Sequence, residues 1–358
     1  MKEHTLTMEN QNNLLTERLL AWYRAHARDL PWRRTCDPYR IWVSEIMLQQ
    51  TRVEAVKGYY ARFLNALPTI EDLASCDDDQ LHKLWEGLGY YSRADNLRRA
   101  ALVIMEKHGG NLPATYEELL ALPGIGEYTA GAIASISYGI PVPAVDGNVM
   151  RVFSRLYNDR ADIMVSATKK RYTARVVEEL PKDTPGDFNQ ALMELGALIC
   201  VPGEPHCADC PLADRCAAYE AGSAAYLPVR GEKKPRRVQK ITILLTRCED
   251  KWLLARRPEG GLLSGLWQPF LFEEELTEDE AIARLREFLP DVSVASPSSL
   301  SPSRHLFSHI EWRMMGYAVE VESVPDAVED WFFAPVSQLD DTYAIPSAYG
   351  AYRGYCFG

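Results

Sequence analysis

Leu122-Pro123-Gly124-Ile125-Gly126-Glu127-Tyr128-Thr129-Ala130 is the stretch on which the reading of this chain turns. A helical pattern precedes it over Tyr116–Leu120, and another follows over Thr129–Ser137. Gly124 and Gly126 permit positive φ and close approach of a neighbouring backbone. A helix starts directly behind them, and its unpaired N–H groups and positive dipole end can hold a phosphate. A lone Gly-x-Gly turn is more often a plain helix connection. The companion segment Val142-Pro143-Ala144-Val145-Asp146-Gly147-Asn148-Val149, about twenty residues on, gives this one more weight. Taken alone, Asp146 before Gly147-Asn148 reads as a turn and helix cap.

Outward from this pair, the first two thirds of the chain read as helices. Leu14, Leu15, Arg18, Leu19 and Trp22 keep helical spacing, as do Leu81, Leu84, Trp85 and Leu88, and Leu97, Ala100, Ala101, Ile104 and Met105. Pro68, Pro113, Pro123, Pro141, Pro143, Pro181 and Pro185 punctuate them. Residues 221–237, with Arg230, Lys233, Lys234, Arg236 and Arg237, have little that fills a core and read as a linker, either a solvated spacer or a contact for phosphate. Strand patterns follow over Val238–Leu245, Trp252–Arg256, Leu266–Phe272, Arg313–Val321 and Trp331–Ala334, with a helix over Thr277–Phe288. The expected architecture is a helical region over 8–220, the linker over 221–237, and an α+β domain over 238–358.

Length, 358 residues, fits two domains, and 47% hydrophobic against 25% charged residues is an ordinary globular mixture. Apolar runs such as Ala130–Ser135 are too short to cross a bilayer, so no membrane partner is expected. Residues 1–13 are polar, lack the apolar core of a secretory signal, and read as a frayed leader of a cytoplasmic protein. A net charge of −11 argues against a coat for nucleic acid, yet a local basic surface remains compatible with a nucleic-acid enzyme.

Four of the eight cysteines, Cys200, Cys207, Cys210 and Cys216, fall in one short window. Without an export signal they favour metal over disulfides. Thiolates are soft ligands that suit zinc or an iron–sulfur cluster. Zinc ribbons usually carry paired Cys-x2-Cys motifs, and the single pair here leans toward a cluster.

The hairpin, which resembles the helix-hairpin-helix clamp on DNA backbone, occurs with Asp146 and the cysteine quartet in the order and spacing of the endonuclease III superfamily of DNA glycosylases. Ile41-Trp42-Val43-Ser44-Glu45-Ile46-Met47-Leu48-Gln49-Gln50-Thr51 and Leu88-Gly89-Tyr90-Tyr91-Ser92-Arg93 resemble its adenine-specific MutY branch. The resemblance covers nearly the whole chain. It implies a 4Fe-4S cluster on the four cysteines and, as partner, double-stranded DNA with adenine opposite 8-oxoguanine or guanine, bound by a monomer. Bifunctional superfamily members place a lysine where this chain has Tyr128, and tyrosine cannot form a Schiff base. Base removal without β-lyase activity is therefore implied.

Cleaving an N-glycosidic bond asks for an acid at the base and a carboxylate at the sugar, on a nucleotide extruded from the stack. By resemblance Glu45 is the acid, its apolar neighbours helping to keep it protonated; read without the family it is equally a plain helix carboxylate. Asp146 is then the ionised partner beneath the sugar, with Asn148 and Tyr128 positioning it and the water. Trp32, Arg33, Leu48 and Gln190 correspond to the adenine pocket. Gln50 and Tyr90 correspond to residues that wedge into the stack. Thr51, Leu122, Gly124 and Gly126 complete the DNA-binding set.

The second domain resembles the MutT-like (Nudix-like) domain of the same branch, through Leu262-Leu263-Ser264-Gly265-Leu266-Trp267. The acidic helix of nucleotide hydrolases is missing, since Ala281–Glu287 carries one Arg-Glu pair and no acidic cluster after it. A reader is therefore implied rather than a pyrophosphatase, with Phe307-Ser308-His309 as the loop for 8-oxoguanine. A thymine-excising or lyase relative, or a silent DNA-binding module, are the competing functions. Tyr128 together with the second domain speaks against the first, and the retention of both Glu45 and Asp146 against the second.

Overall fold

The computed structural model describes residues 2–232, 235–290, 292–295, 297–324 and 330–356. The chain forms two compact units, one from residues 1–74 and 96–232, the other from 75–95 and 233–358. No helix among the described residues is long and apolar enough to cross a membrane.

The first unit is helical, and two of its helices are wrapped almost completely. Pro38–Leu48 starts with Pro38 at the position where a missing N–H costs nothing, and the Asp37 carboxylate caps it by accepting from Tyr39 and Arg40 amides at 2.9 and 3.3 Å. Every residue from Tyr39 to Met47 except the exposed Arg40 is buried, Glu45 included. Glu127–Tyr138, the helix behind the glycine turn, buries Thr129 to Ser135 without a break. Gly147–Leu156 and Pro185–Leu198 pack with the first helix around Leu19, Val149, Phe153, Tyr172, Phe188 and Leu195. That first helix runs Lys2–His26, so the expected frayed leader is instead helical from Lys2 on, in keeping with a segment free of proline and glycine.

The segment expected as a linker divides in two. Ala224–Tyr226 forms a short turn of 3-10 helix, Ala224 and Leu227 are buried with Ala218, and Val229 O accepts from the Ile163 amide at 3.1 Å. Small residues there close a core the composition did not advertise. Of the remainder, Lys233 and Lys234 lie outside the described residues.

The second unit is built on a six-stranded mixed sheet of β1 (Arg237–Cys248), β2 (Lys251–Arg256), β3 (Trp267–Phe272), β4 (Ser298–Leu306), β5 (Ile310–Glu320) and β6 (Trp331–Pro335), in the order β4-β5-β1-β3-β2-β6. β1 and β5 pair in parallel from Arg237–Ile310 to Arg247–Glu320, and every other pairing is antiparallel. One face buries Ile241, Ile243, Trp312 and Tyr352; the other packs Leu244 and Phe270 against the Glu278–Phe288 helix, whose Thr277–Glu280 capping box fixes its start. β4, absent from the sequence reading, is an edge strand with Leu300 as its one buried residue. It carries Pro302 and a register shift between Leu300 and Ser303, features that leave little periodic signal.

Candidate active site

Asp146 is the N-cap of the Gly147–Leu156 helix. Its Oδ1 accepts the Asn148 and Val149 amides at 2.9 and 2.8 Å, and Oδ2 accepts Asn148 Nδ2 at 2.7 Å. Asn148 is oriented in turn, because its Oδ1 accepts Arg151 Nη2 at 2.8 Å. Arg151 also donates to Gly196 O and Cys200 O, each at 2.7 Å. A Cβ on Gly196 would fall 2.6 Å from Asn148 Cβ, so only glycine lets this helix approach the Asp146 turn. Burial raises the Asp146 pKa above its ordinary value, while the Val149 and Asn148 donors and the Arg151 charge pull the other way. The cap expected of this residue and the carboxylate facing a cavity are thus one arrangement.

Glu45 comes from the wrapped Pro38–Leu48 helix and is 6% exposed. The plain exposed carboxylate that was its alternative is excluded. Tyr128 Oη donates to Glu45 Oε2 at 2.6 Å. Burial pushes the Glu45 carboxyl up to about 7, with the Asp146 charge adding to the rise; the Tyr128 hydrogen bond and Arg33 oppose it. Burial pushes the Tyr128 phenol well above its ordinary range too, so at neutral pH it stays an O–H donor.

Glu45, Asp146, Tyr128 and Asn148 line one cavity of about 640 Å³, together with Trp32, Arg33, Leu48, Gln190, Gln50, Thr51 and Gly126. The four residues expected around adenine are therefore brought together with both carboxylates inside one unit. Leu122 is buried in the hairpin, and Gly124 holds it at φ +73°, where a Cβ would meet Asn96 Cβ at 2.6 Å. Gln50, exposed at the rim, sits at φ +57°, a conformation that non-glycine residues rarely adopt.

Sequence reading missed what fixes Arg33. Glu194 is fully buried and accepts Arg33 Nη1 and Nη2 at 2.8 and 2.7 Å, and Arg28 Nε and Nη2 at 2.9 and 2.6 Å. These bonds overcome burial and lower its pKa to about 2. Arg28, Met193 and Glu194 all line the cavity. A lone carboxylate in the apolar run Ala191-Leu192-Met193-Glu194-Leu195-Gly196-Ala197 was the available signal.

Tyr90, Phe307, Ser308 and His309 line a different cavity, of about 320 Å³, within the second unit. Tyr90 is 46% exposed at φ +48°. Arg93 Nη2 donates to Leu88 O and Gly89 O at 3.2 and 3.0 Å, and its guanidinium lies over the Trp85 and Tyr90 rings. The Phe307 ring meets Trp312 edge-on at 5.0 Å, and Ser308 Oγ lies 3.1 Å from His309 Nδ1.

Cys200, Cys207, Cys210 and Cys216 line one small hollow of about 20 Å³ in the first unit. The fully buried Arg155 donates to Cys200 Sγ at 3.3 Å and to Val201 O and Gly203 O at 2.7 and 3.0 Å. Among the described residues no three His, Cys, Asp or Glu side chains form a single-ion site. Four soft donors on one hollow, with a cation held against one of them, fit a group bound through thiolates.

Residues 43–181 match the family of HhH-GPD superfamily base excision DNA repair proteins, and residues 241–352 match the NUDIX domain. The chain is 34% identical to the adenine DNA glycosylase of Homo sapiens, over 85% of this chain and 66% of that protein. It is 31% identical to the one from Schizosaccharomyces pombe, over 94% and 89%, and 32% identical to the one from Buchnera aphidicola subsp. Schizaphis graminum, over 83% and 84%. Among solved structures, a thermostable thymine-DNA glycosylase aligns at TM-score 0.55 and 29% identity, over 60% of this chain and 99% of that one. A trapped endonuclease III–DNA covalent intermediate aligns at TM-score 0.52 and 21% identity, over 60% and 97%, a likeness of fold.

Proposed function

This chain belongs to the adenine DNA glycosylases, and from that premise we propose that it hydrolyses the N-glycosidic bond of adenine paired with 8-oxoguanine or guanine in double-stranded DNA. The observation that carries the reading is one cavity lined by two carboxyl groups with different partners, Glu45 buried with a single phenol donor and Asp146 half-buried with three N–H donors. Glu45, packed away from water and pushed up to about 7, keeps a proton to give to the leaving adenine. Asp146, fixed by two main-chain N–H groups and Asn148, meets the positive charge that develops on the sugar. Tyr128, a persistent donor, holds Glu45 in place and carries no amine for a Schiff base. Gln190 offers an amide edge to the purine and Trp32 an aromatic wall.

Leu122, Gly124 and Gly126 hold the phosphate-binding turn ahead of the Glu127–Tyr138 helix. Gln50 and Tyr90, both in left-handed backbone, are the residues that enter the base stack. Phe307, Ser308 and His309 read the oxidised base. The four cysteines would hold a 4Fe-4S cluster, whose part is to fix the loop of residues 200–216. The protein works as a monomer in the cytoplasm, from three pieces: a catalytic region over 8–220, the connection over 221–237, and the reader over 238–358.

The test uses duplexes with adenine opposite 8-oxoguanine, guanine or thymine, scored for abasic sites with and without alkali. The reading requires adenine release opposite 8-oxoguanine and guanine, with strand breaks only after alkali. Release of thymine instead, or breaks without alkali, overturns it.

A further inference from the structure

Three of the stretches that line the cavity of the second unit each have main-chain carbonyls held by an arginine. Arg93 holds Leu88 O and Gly89 O; Arg257 Nε holds Leu262 O at 2.9 Å; Arg236 Nε holds Phe307 O at 2.7 Å. Arg93 and Arg257 are embedded beside Trp85 and Trp312 respectively. Arg236 is exposed and belongs to the basic run that composition alone assigned to a linker.

We infer that Arg236 is a positioning residue for reading the oxidised base, acting by fixing the peptide between Phe307 and Ser308. The inference rests on the proposed reading of Phe307-Ser308-His309 as the reader loop. A peptide unit is planar and trans, so a donor that holds the Phe307 carbonyl also sets the direction of the Ser308 N–H and the base from which its side chain projects. Besides the Phe307 ring on Trp312 and the Ser308–His309 side-chain contact, the turn is tied at its foot by main-chain pairs, Phe307 N to Ile310 O at 2.9 Å and Arg237 N to His309 O at 3.0 Å. The main-chain pairs set the register of β4, β5 and β1 without using the Phe307 carbonyl, which Arg236 takes. Guanine and 8-oxoguanine differ only at N7 and C8, where an acceptor and a C–H become an N–H and a carbonyl. A serine can separate them only if its direction is held, because a freely turning hydroxyl serves either pattern.

The experiment measures single-turnover excision and DNA affinity for the full-length R236A, R236K and S308A variants, on duplexes with adenine opposite 8-oxoguanine and opposite guanine. R236A is expected to narrow the preference for the 8-oxoguanine duplex by about three- to tenfold, the scale of one exposed hydrogen bond, with the larger loss on that duplex. R236K, which can still donate to the carbonyl, should recover most of the preference. An equal loss on both duplexes would assign Arg236 to phosphate and overturn the inference, as would an unchanged preference. A melting midpoint of R236A matching the parent excludes unfolding as the cause, and a lowered midpoint leaves R236K as the deciding variant. If S308A also leaves the preference unchanged, the reader loop itself is wrong; if S308A narrows it and R236A does not, only the role of Arg236 falls.

Discussion

The cavity holding Glu45 and Asp146 and the cavity beside Ser308 are made in opposite ways. The first is lined by helical residues, and its carboxylates are largely withdrawn from water: Glu45 is 6% exposed, Glu194 is closed off completely and Asp146 is half-buried. The second is made of turns, with Tyr90 nearly half exposed and Ser308 on the surface. Chemistry needs the first design, because burial keeps the proton on Glu45 while the N–H donors and the Arg151 charge around Asp146 work to keep its carboxylate charged. Recognition needs the second, because a base inside DNA must be reached from outside. What replaces burial there is side-chain hydrogen bonding into the main chain, by Arg93, Arg257 and Arg236.

This contrast predicts where substitutions cost most. Asp146→Asn is expected to lower single-turnover excision by at least about a thousandfold, since a neutral amide cannot balance a cationic sugar in a dry site. Binding of the same duplex should change little, and wild-type turnover would remove Asp146 from the mechanism. Glu194→Ala leaves two arginines without their shared carboxylate, one of them mostly buried. We expect a stability loss on the order of 3 kcal/mol, read by chemical denaturation. A change within about 0.5 kcal/mol would mean that the network is ornamental. The pH dependence carries a sign as well. With a folded pKa of about 2 against an unfolded value near 4.5, Glu194 contributes stability that is present above pH 4.5 and lost as pH falls toward 2, so the Glu194→Ala curve should converge on the parent there. The smallest effect is expected in the second cavity. Ser308→Ala should narrow the preference for 8-oxoguanine over guanine by about tenfold while adenine excision persists. A loss of all cutting would mean that the second cavity is part of the chemistry.

Much of the first cavity is legible in the sequence because its signals are local. The glycine turn and the Asp146 cap each depend on residues within a few positions of one another, and each has backbone chemistry behind it. Glu45 was harder, since its helix reads the same whether wrapped or exposed, and only packing decides. The Arg28–Glu194 and Arg33–Glu194 pairs join residues 166 and 161 positions apart, which no spacing reveals. In the second unit β1, β3 and the Glu278–Phe288 helix follow their patterns, whereas β4 buries too little to produce one. Residues 221–231 read as spacer because alanine, glycine and serine carry no hydrophobic signal, yet Ala224 packs as core. That residues 75–95 group with 233–358 is likewise a matter of tertiary contact alone.

The proton on Glu45 is the point on which the chemistry depends, and a pH profile of single-turnover excision for the parent and Glu45→Gln examines it directly. Excision by the parent should fall as pH rises through about 7, where the raised carboxyl ionises, and fall again in acid as Asp146 takes up a proton. Glu45→Gln should be about a hundredfold slower or worse and lose the alkaline limb. An alkaline limb that persists unchanged in Glu45→Gln, or a parent profile flat across pH 6 to 8, would contradict the assignment of Glu45 as the acid.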